Sequence, residues 1–267
     1  MSKQTATPPE KQQNTTIRLG DVVNKYLEAF QRAFDHLCFA LPGFRTMSEQ
    51  QYDEFARSVG VMPMGPQRMS FDKAKEGTEK YFLNNSLRDL ISLVVLFLED
   101  SRTISALIEY KASGKNSDAE VQRIMREDRV QFLNLSLHDK LKSLKEKYEL
   151  TSELENNVLD LLAVVNCLSQ RQGVVGEQDL NRNDKMCVKI RTLRMIQQPL
   201  QAASSPGTMP NMQISTQMAD SEKTFAVGEK IEFSKQEHIS TIISMSIFVT
   251  TFAQSIQTFA KKKGVAE

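Results

Sequence analysis

The chain has 267 residues, 40% of them apolar and 25% charged, and its 34 Lys and Arg against 33 Asp and Glu leave a net charge of +1. That is ordinary globular composition, sized for one large domain or two small ones, and a near-neutral balance gives no global signal for nucleic acid, DNA or a membrane surface. Three scattered cysteines, Cys38, Cys167 and Cys187, argue against a disulfide framework and for a reducing, cytoplasmic setting.

In chain order, the polar stretch 1–17 lacks an apolar core and reads as a disordered leader. Val22, Val23, Tyr26, Leu27, Phe30, Phe34 and Leu37 form the stripe of a first helix over Leu19–Leu41, ended by Pro42-Gly43. Ser48 and Gln51 make a capping box for a second helix, Ser48–Val59. Residues 60–70, with two Pro and two Gly, read as a loop. A long helix is expected from Phe71 to Tyr110, with Ser86 a candidate interruption. After a turn at Gly114-Lys115-Asn116, Asp118–Glu127 and Leu135–Leu150 read as two helices or one kinked helix, the second part with four lysines that read as a solvated face.

Residues 151–180 carry the most clearly punctuated element. Ser152 and Glu155 match a capping box, and Leu154, Val158, Leu161, Leu162, Val165 and Leu168 recur at helical spacing. Gly173 and Gly176 then stop the helix, which is expected to be the central core helix. Met186, Val188 and Ile190 alternate with Cys187, Lys189 and Arg191, so 185–196 reads as a strand. Residues 198–222 read as a flexible, Met-containing insertion, and 224–233 as a second strand or short hairpin with the first. Ser234 and Glu237 form a capping box for the last helix, through about Lys262, and 263–267 is a tail. Within it Ile239–Ala260 carries no charge, but ten of these 22 residues are Ser, Thr or Gln. A core helix therefore suits it better than a membrane span, and membrane attachment is the outside alternative. The sum is a mainly α fold: a helical bundle with a small two-stranded β excursion before the C-terminal helix.

Little catalytic chemistry is legible. His36, His138 and His238 lie on separate segments without metal-ligand spacing, and no phosphate loop, dinucleotide fingerprint or nucleophile elbow occurs. No metal and no cofactor is expected. The neighbouring acids Glu99-Asp100 and Glu127-Asp128 read as solvated surface groups, because adjacent residues on a helix point apart. Cys167, near a helix C-terminus whose dipole disfavours a thiolate, reads as buried and structural.

The stretch VVNCLSQRQGVVGEQDL, 164–180, resembles the end of the core helix in HEPN-domain proteins, in which an Arg and a polar residue precede a His near a Gly-containing turn. Asn166 fits the polar position, and Gly173 and Asp179 suit the turn. Val165 stands where the Arg is expected and Gln170 where the His is expected. In active members that pair implies metal-independent RNA cleavage, with the His exchanging a proton and the Arg stabilising phosphate charge. Valine offers neither function, and glutamine does not titrate. Nor has the motif moved: Arg32 precedes His36 with only three residues between, and no Arg lies close upstream of His138 or His238. The resemblance implies a catalytically silent HEPN-like domain over 18–262, acting as a binding or assembly module and pairing as a homodimer. No catalytic residue is assigned. Asn166, Gln170, Arg171 and Gln172 are its ligand or interface candidates, with RNA or a nucleotide as the other partner. The competing expectation is a ribonuclease with a rewired site using Arg171 and a distant histidine.

Overall fold

A computed structural model describes residues 18–58, 69–114, 118–199 and 212–265. Among them are seven α-helices and one antiparallel pair of strands placed before the last helix. The mainly helical class with a small β excursion is therefore the observed one.

Helix α1, Leu19–Thr46, continues one turn past Pro42, where the sequence suggested a stop. The turn holds because Phe44 packs edge-on against Phe82 at 5.6 Å, and Met47 N–H closes it on the Gly43 carbonyl at 3.2 Å. Helix α2, Glu49–Ser58, starts on the expected box: Gln51 N–H donates to Ser48 Oγ at 3.2 Å, and Ser48 N–H to Gln51 Oε1 at 2.9 Å. The loop expected at 60–70 lies mostly outside the described residues. Helix α3, Phe71–Ala112, is unbroken. Ser86 does not interrupt it, because its hydroxyl donates to the Leu83 carbonyl of the preceding turn at 2.7 Å.

Helices α4, Asp118–Leu133, and α5, Leu137–Tyr148, are separate, and Ser136 caps the second by accepting from Asp139 N–H at 3.1 Å. One of the four lysines expected on a solvated face is instead interior. Lys140 is 2% exposed; its ammonium donates to the Phe132 and Leu133 carbonyls at 2.7 and 2.9 Å and pairs with Glu99 at 3.2 Å. Glu99 is accordingly not a solvated acid: it neutralises the lysine that satisfies the last carbonyls of α4.

Helix α6, Glu155–Gln170, begins later than its box predicted. Glu155 accepts from Ser152 N–H at 3.0 Å, but the Ser152 hydroxyl bonds Thr251 at 2.7 Å and Leu154 takes the cap position. The strands are β1, Met186–Pro199, and β2, Met212–Phe225, registered from Met186 opposite Phe225 to Pro199 opposite Met212. Residues 212–222, read from composition as a flexible insertion, are therefore the second strand. Only Thr224 and Phe225 of the expected 224–233 strand belong to it. The remainder turns through Gly228, and Lys230 bridges back to Val174.

Helix α7, Lys235–Lys262, starts on the Ser234–Glu237 box. It packs against α1, α3, α6 and β1, so α7 with α3, rather than α6, forms the centre of the bundle. It is long and apolar enough to cross a membrane by length and composition, yet here Phe248, Phe252 and Ile256 are fully buried. Phe97 of α3 meets Phe248 and Phe252 edge-on at 6.4 and 6.0 Å.

Two predictions follow from this packing. Lys140→Met strands Glu99 and leaves two helix-end carbonyls without a donor, so urea unfolding should show a loss of about 3 kcal/mol. Lys142→Met, on the exposed face, should stay within about 0.5 kcal/mol. Burial, and then the Asp100 carboxylate that accepts its hydroxyl at 2.7 Å, push the Tyr26 phenol well above its ordinary range. Above about pH 10 the unfolded chain loses a proton that the native chain keeps, so stability falls as pH rises. The fall between about pH 9 and pH 11 should be shallower in Tyr26→Phe, as followed by urea midpoints.

Candidate functional site

The end of α6 is built by three backbone devices. Gln172 adopts a left-handed φ of 55° and Gly173 one of 81°, which turns the chain off the helix axis. Arg171 and Gly173 N–H both return to the Cys167 carbonyl, at 3.0 and 3.1 Å. The strip that follows then joins the approach to α7: Ile231 N–H donates to Gly173 at 2.7 Å, Val175 N–H to Glu229 at 2.9 Å, and Gly228 N–H to Val175 at 2.8 Å. A short antiparallel contact thus ties the α6 exit to the α7 entrance.

Arg171 is the charged member of the expected site, and it is already committed. Its guanidinium makes a two-pronged pair with Asp179, Nε donating to Oδ2 at 2.8 Å and Nη2 to Oδ1. Asp179 is buried, lies in a single 3-10 turn over Glu177–Asp179, and also accepts from Gly176 N–H at 2.9 Å. The carboxylate holds Arg171 above even its ordinary pKa. The Cys167 thiol sits beneath this pair, donating to the Val174 carbonyl at 3.3 Å; burial first, and Asp179 second, push it up. It is the buried structural cysteine expected from the sequence.

Asn166 and Gln170 lie one turn apart on the exposed side of α6. Gln170 accepts from Arg171 Nη1 at 3.1 Å. Val165 is half-buried against the core. Gln172 is exposed and faces elsewhere: with Leu168 it lines a cleft of about 420 Å³, opposite Glu79, Lys80 and Asn84 of α3. Several of the charges in that cleft are paired. Lys80 bridges Glu76 at 2.9 Å and Glu232 at 3.1 Å, and Lys235 holds Glu79 at 3.0 Å. His238 lines the cleft but is 2% exposed, its Nδ1 is 3.1 Å from the Ser234 carbonyl, and burial lowers its pKa. The four candidates therefore divide: Asn166, Gln170 and Arg171 sit on the helix-end surface, and Gln172 turns into the cleft. Among the described residues no group of three or more His, Cys, Asp or Glu could hold a metal.

Sequence reasoning missed the polar core of this region. Asp160, within the apolar stripe of α6, is buried and accepts from Arg182, from Lys189 N–H at 3.0 Å and from Asn181 Nδ2 at 3.2 Å. Asn157, one turn earlier, donates to the Lys189 carbonyl at 3.1 Å. Asn181 in turn exchanges two hydrogen bonds with the Cys187 backbone, at 2.9 and 2.8 Å. The available signal was the spacing of Asn157 and Asp160 on an otherwise apolar face, where each needs buried partners.

The turn at the α6 end makes a direct prediction. A Cβ on Gly173 meets Leu168 Cδ2 at 3.0 Å as well as carrying the left-handed penalty, whereas one on Gly228, at φ 86°, meets open space. Gly228→Ala should cost about 1 kcal/mol and Gly173→Ala about 2 kcal/mol or more by denaturant unfolding. Equal losses would mean that Leu168 yields freely. Comparisons with models of protein families, with curated proteins and with solved structures find no match.

Proposed function

We propose that this chain is a non-catalytic, HEPN-like binding or assembly module that pairs with a second copy of itself. The observation that carries the reading is the chemistry of the α6 end. Its exposed groups, Asn166, Ser169, Gln170 and Gln172, donate and accept hydrogen bonds but exchange no proton at neutral pH. The one cation among the candidates, Arg171, is neutralised by Asp179 rather than offered to a phosphate. His238 comes nearest to rescuing an acid–base role, since it shares the cleft with Gln172, but its ring is buried and Arg171 is not among the residues lining that cleft. A rewired ribonuclease site is thus the weaker reading. A polar, uncharged helix-end surface suits self-pairing, in which identical amides satisfy one another across a two-fold axis.

Light scattering on the whole chain tests the assembly reading. The wild type should be a dimer, and Asn166→Arg with Gln170→Arg, both at exposed positions, should shift it toward monomer by about tenfold in Kd or more while helicity is unchanged. A monomeric wild type, or a dimer indifferent to four added charges per pair, sinks it. Incubation with a structured and an unstructured RNA tests the other half: intact RNA is expected, and cleavage that Arg171→Ala abolishes would overturn the non-catalytic reading.

A further inference from the structure

A second cavity, separate from the α6 end, lies between the C-terminal half of α1, Leu83 of α3 and the first turn of α7. It measures about 530 Å³, within the range of small-molecule sites. Phe34, Leu41, Pro42 and Ile239 give it a mostly apolar wall. Two cations also line it, Arg45 and Lys235. Both lean on one carboxylate, Glu79, at 4.0 and 3.0 Å respectively. One anion shared by two cations leaves a positive surplus, and the Arg45 side chain is 63% exposed, so its guanidinium stays open to another acceptor. The inner wall is His238, which divides this chamber from the cleft beside Gln172. Its Nε2 is buried without a hydrogen-bond partner at proper geometry, the Leu83 carbonyl being the backbone acceptor near it.

We propose that this chamber binds an aliphatic carboxylate of medium chain length. The tail fills the space among Phe34, Leu41 and Ile239, where each buried methylene contributes about 0.8 kcal/mol. The carboxylate takes a forked pair from Arg45 and a single charge from Lys235, geometry that favours a planar anion over a neutral or cationic head. The proposal is independent of the function assigned to the α6 end.

Cys38 provides the readout. It lines the chamber and is exposed, whereas Cys167 and Cys187 are buried. The experiment follows alkylation of Cys38 by N-ethylmaleimide, by mass spectrometry of the whole chain, against rising submicellar decanoate. Decanoate should slow the reaction saturably, by about fivefold or more, and decylamine at the same concentrations should not. Arg45→Ala, a change at an exposed position, should raise the half-protecting concentration about tenfold, the loss expected for one charge-assisted hydrogen-bonded pair. Lys235→Ala should raise it by a smaller factor. No protection, protection that never saturates, equal protection by decylamine, or an unchanged half-protecting concentration in Arg45→Ala would each overturn the proposal.

Discussion

A helix can occupy the centre of a bundle only if its polar groups find partners there, and α7 supplies most of them from its own backbone, His238 Nε2 and Ser240 Oγ being left without one. Ser244, Ser246 and Thr251 return their hydroxyls to the carbonyls four residues back, at 2.8 to 3.0 Å, and Thr241 does the same to Glu237 at 2.8 Å. Such bonds let small polar residues stand where bulk would keep neighbours away. Ser244 then does a second job. Its oxygen accepts from Arg191 N–H at 2.9 Å and faces the Arg191 carbonyl at 3.0 Å, so β1 lies directly on the helix. Farther along, Ser255 accepts from Thr151 N–H at 3.1 Å and Thr251 meets the Ser152 hydroxyl. The hydroxyls of α7 thus anchor both the hairpin and the lead-in to α6.

That anchoring explains where α6 ends. With its start held on α7 and its middle held to β1 through Asp160 and Asn157, the helix has one direction to leave in. The left-handed pair Gln172-Gly173 turns it there, and the Arg171–Asp179 pair locks the turn. A cation used this way is lost to ligand chemistry. Releasing it would leave a buried carboxylate unpaired, which costs more than an exposed contact to phosphate returns.

How much of this was legible in the sequence depended on range. Two capping boxes, Ser48–Gln51 and Ser234–Glu237, formed as written because each is complete within four residues. The third, Ser152–Glu155, formed by half, since a side chain 99 residues away in sequence competes for the Ser152 hydroxyl. Pro42 suggested a stop because its effect on the local backbone is visible and the Phe44–Phe82 contact that outweighs it is not. The second strand was hidden for a related reason. Residues 212–222 are polar, and only the ladder to β1 makes them a strand. Lys140 looked solvated because nothing near it in sequence announces the carbonyls of Phe132 and Leu133.

The candidate site divides along the same line. Val165 and Gln170 are readable in the sequence as side chains that exchange no proton themselves. The fate of Arg171 is not readable that way, because an arginine beside a helix end is equally compatible with an open phosphate site and with a structural latch. The deciding fact is Asp179, eight residues on and buried, and its position follows only once the left-handed pair Gln172-Gly173 has turned the chain. The same turn delivers Gln172 to one face of a wall whose core is His238, with the chamber of Arg45 and Lys235 on the other. One imidazole on α7 therefore stands between the cleft that Gln172 lines and the chamber that Arg45 and Lys235 line.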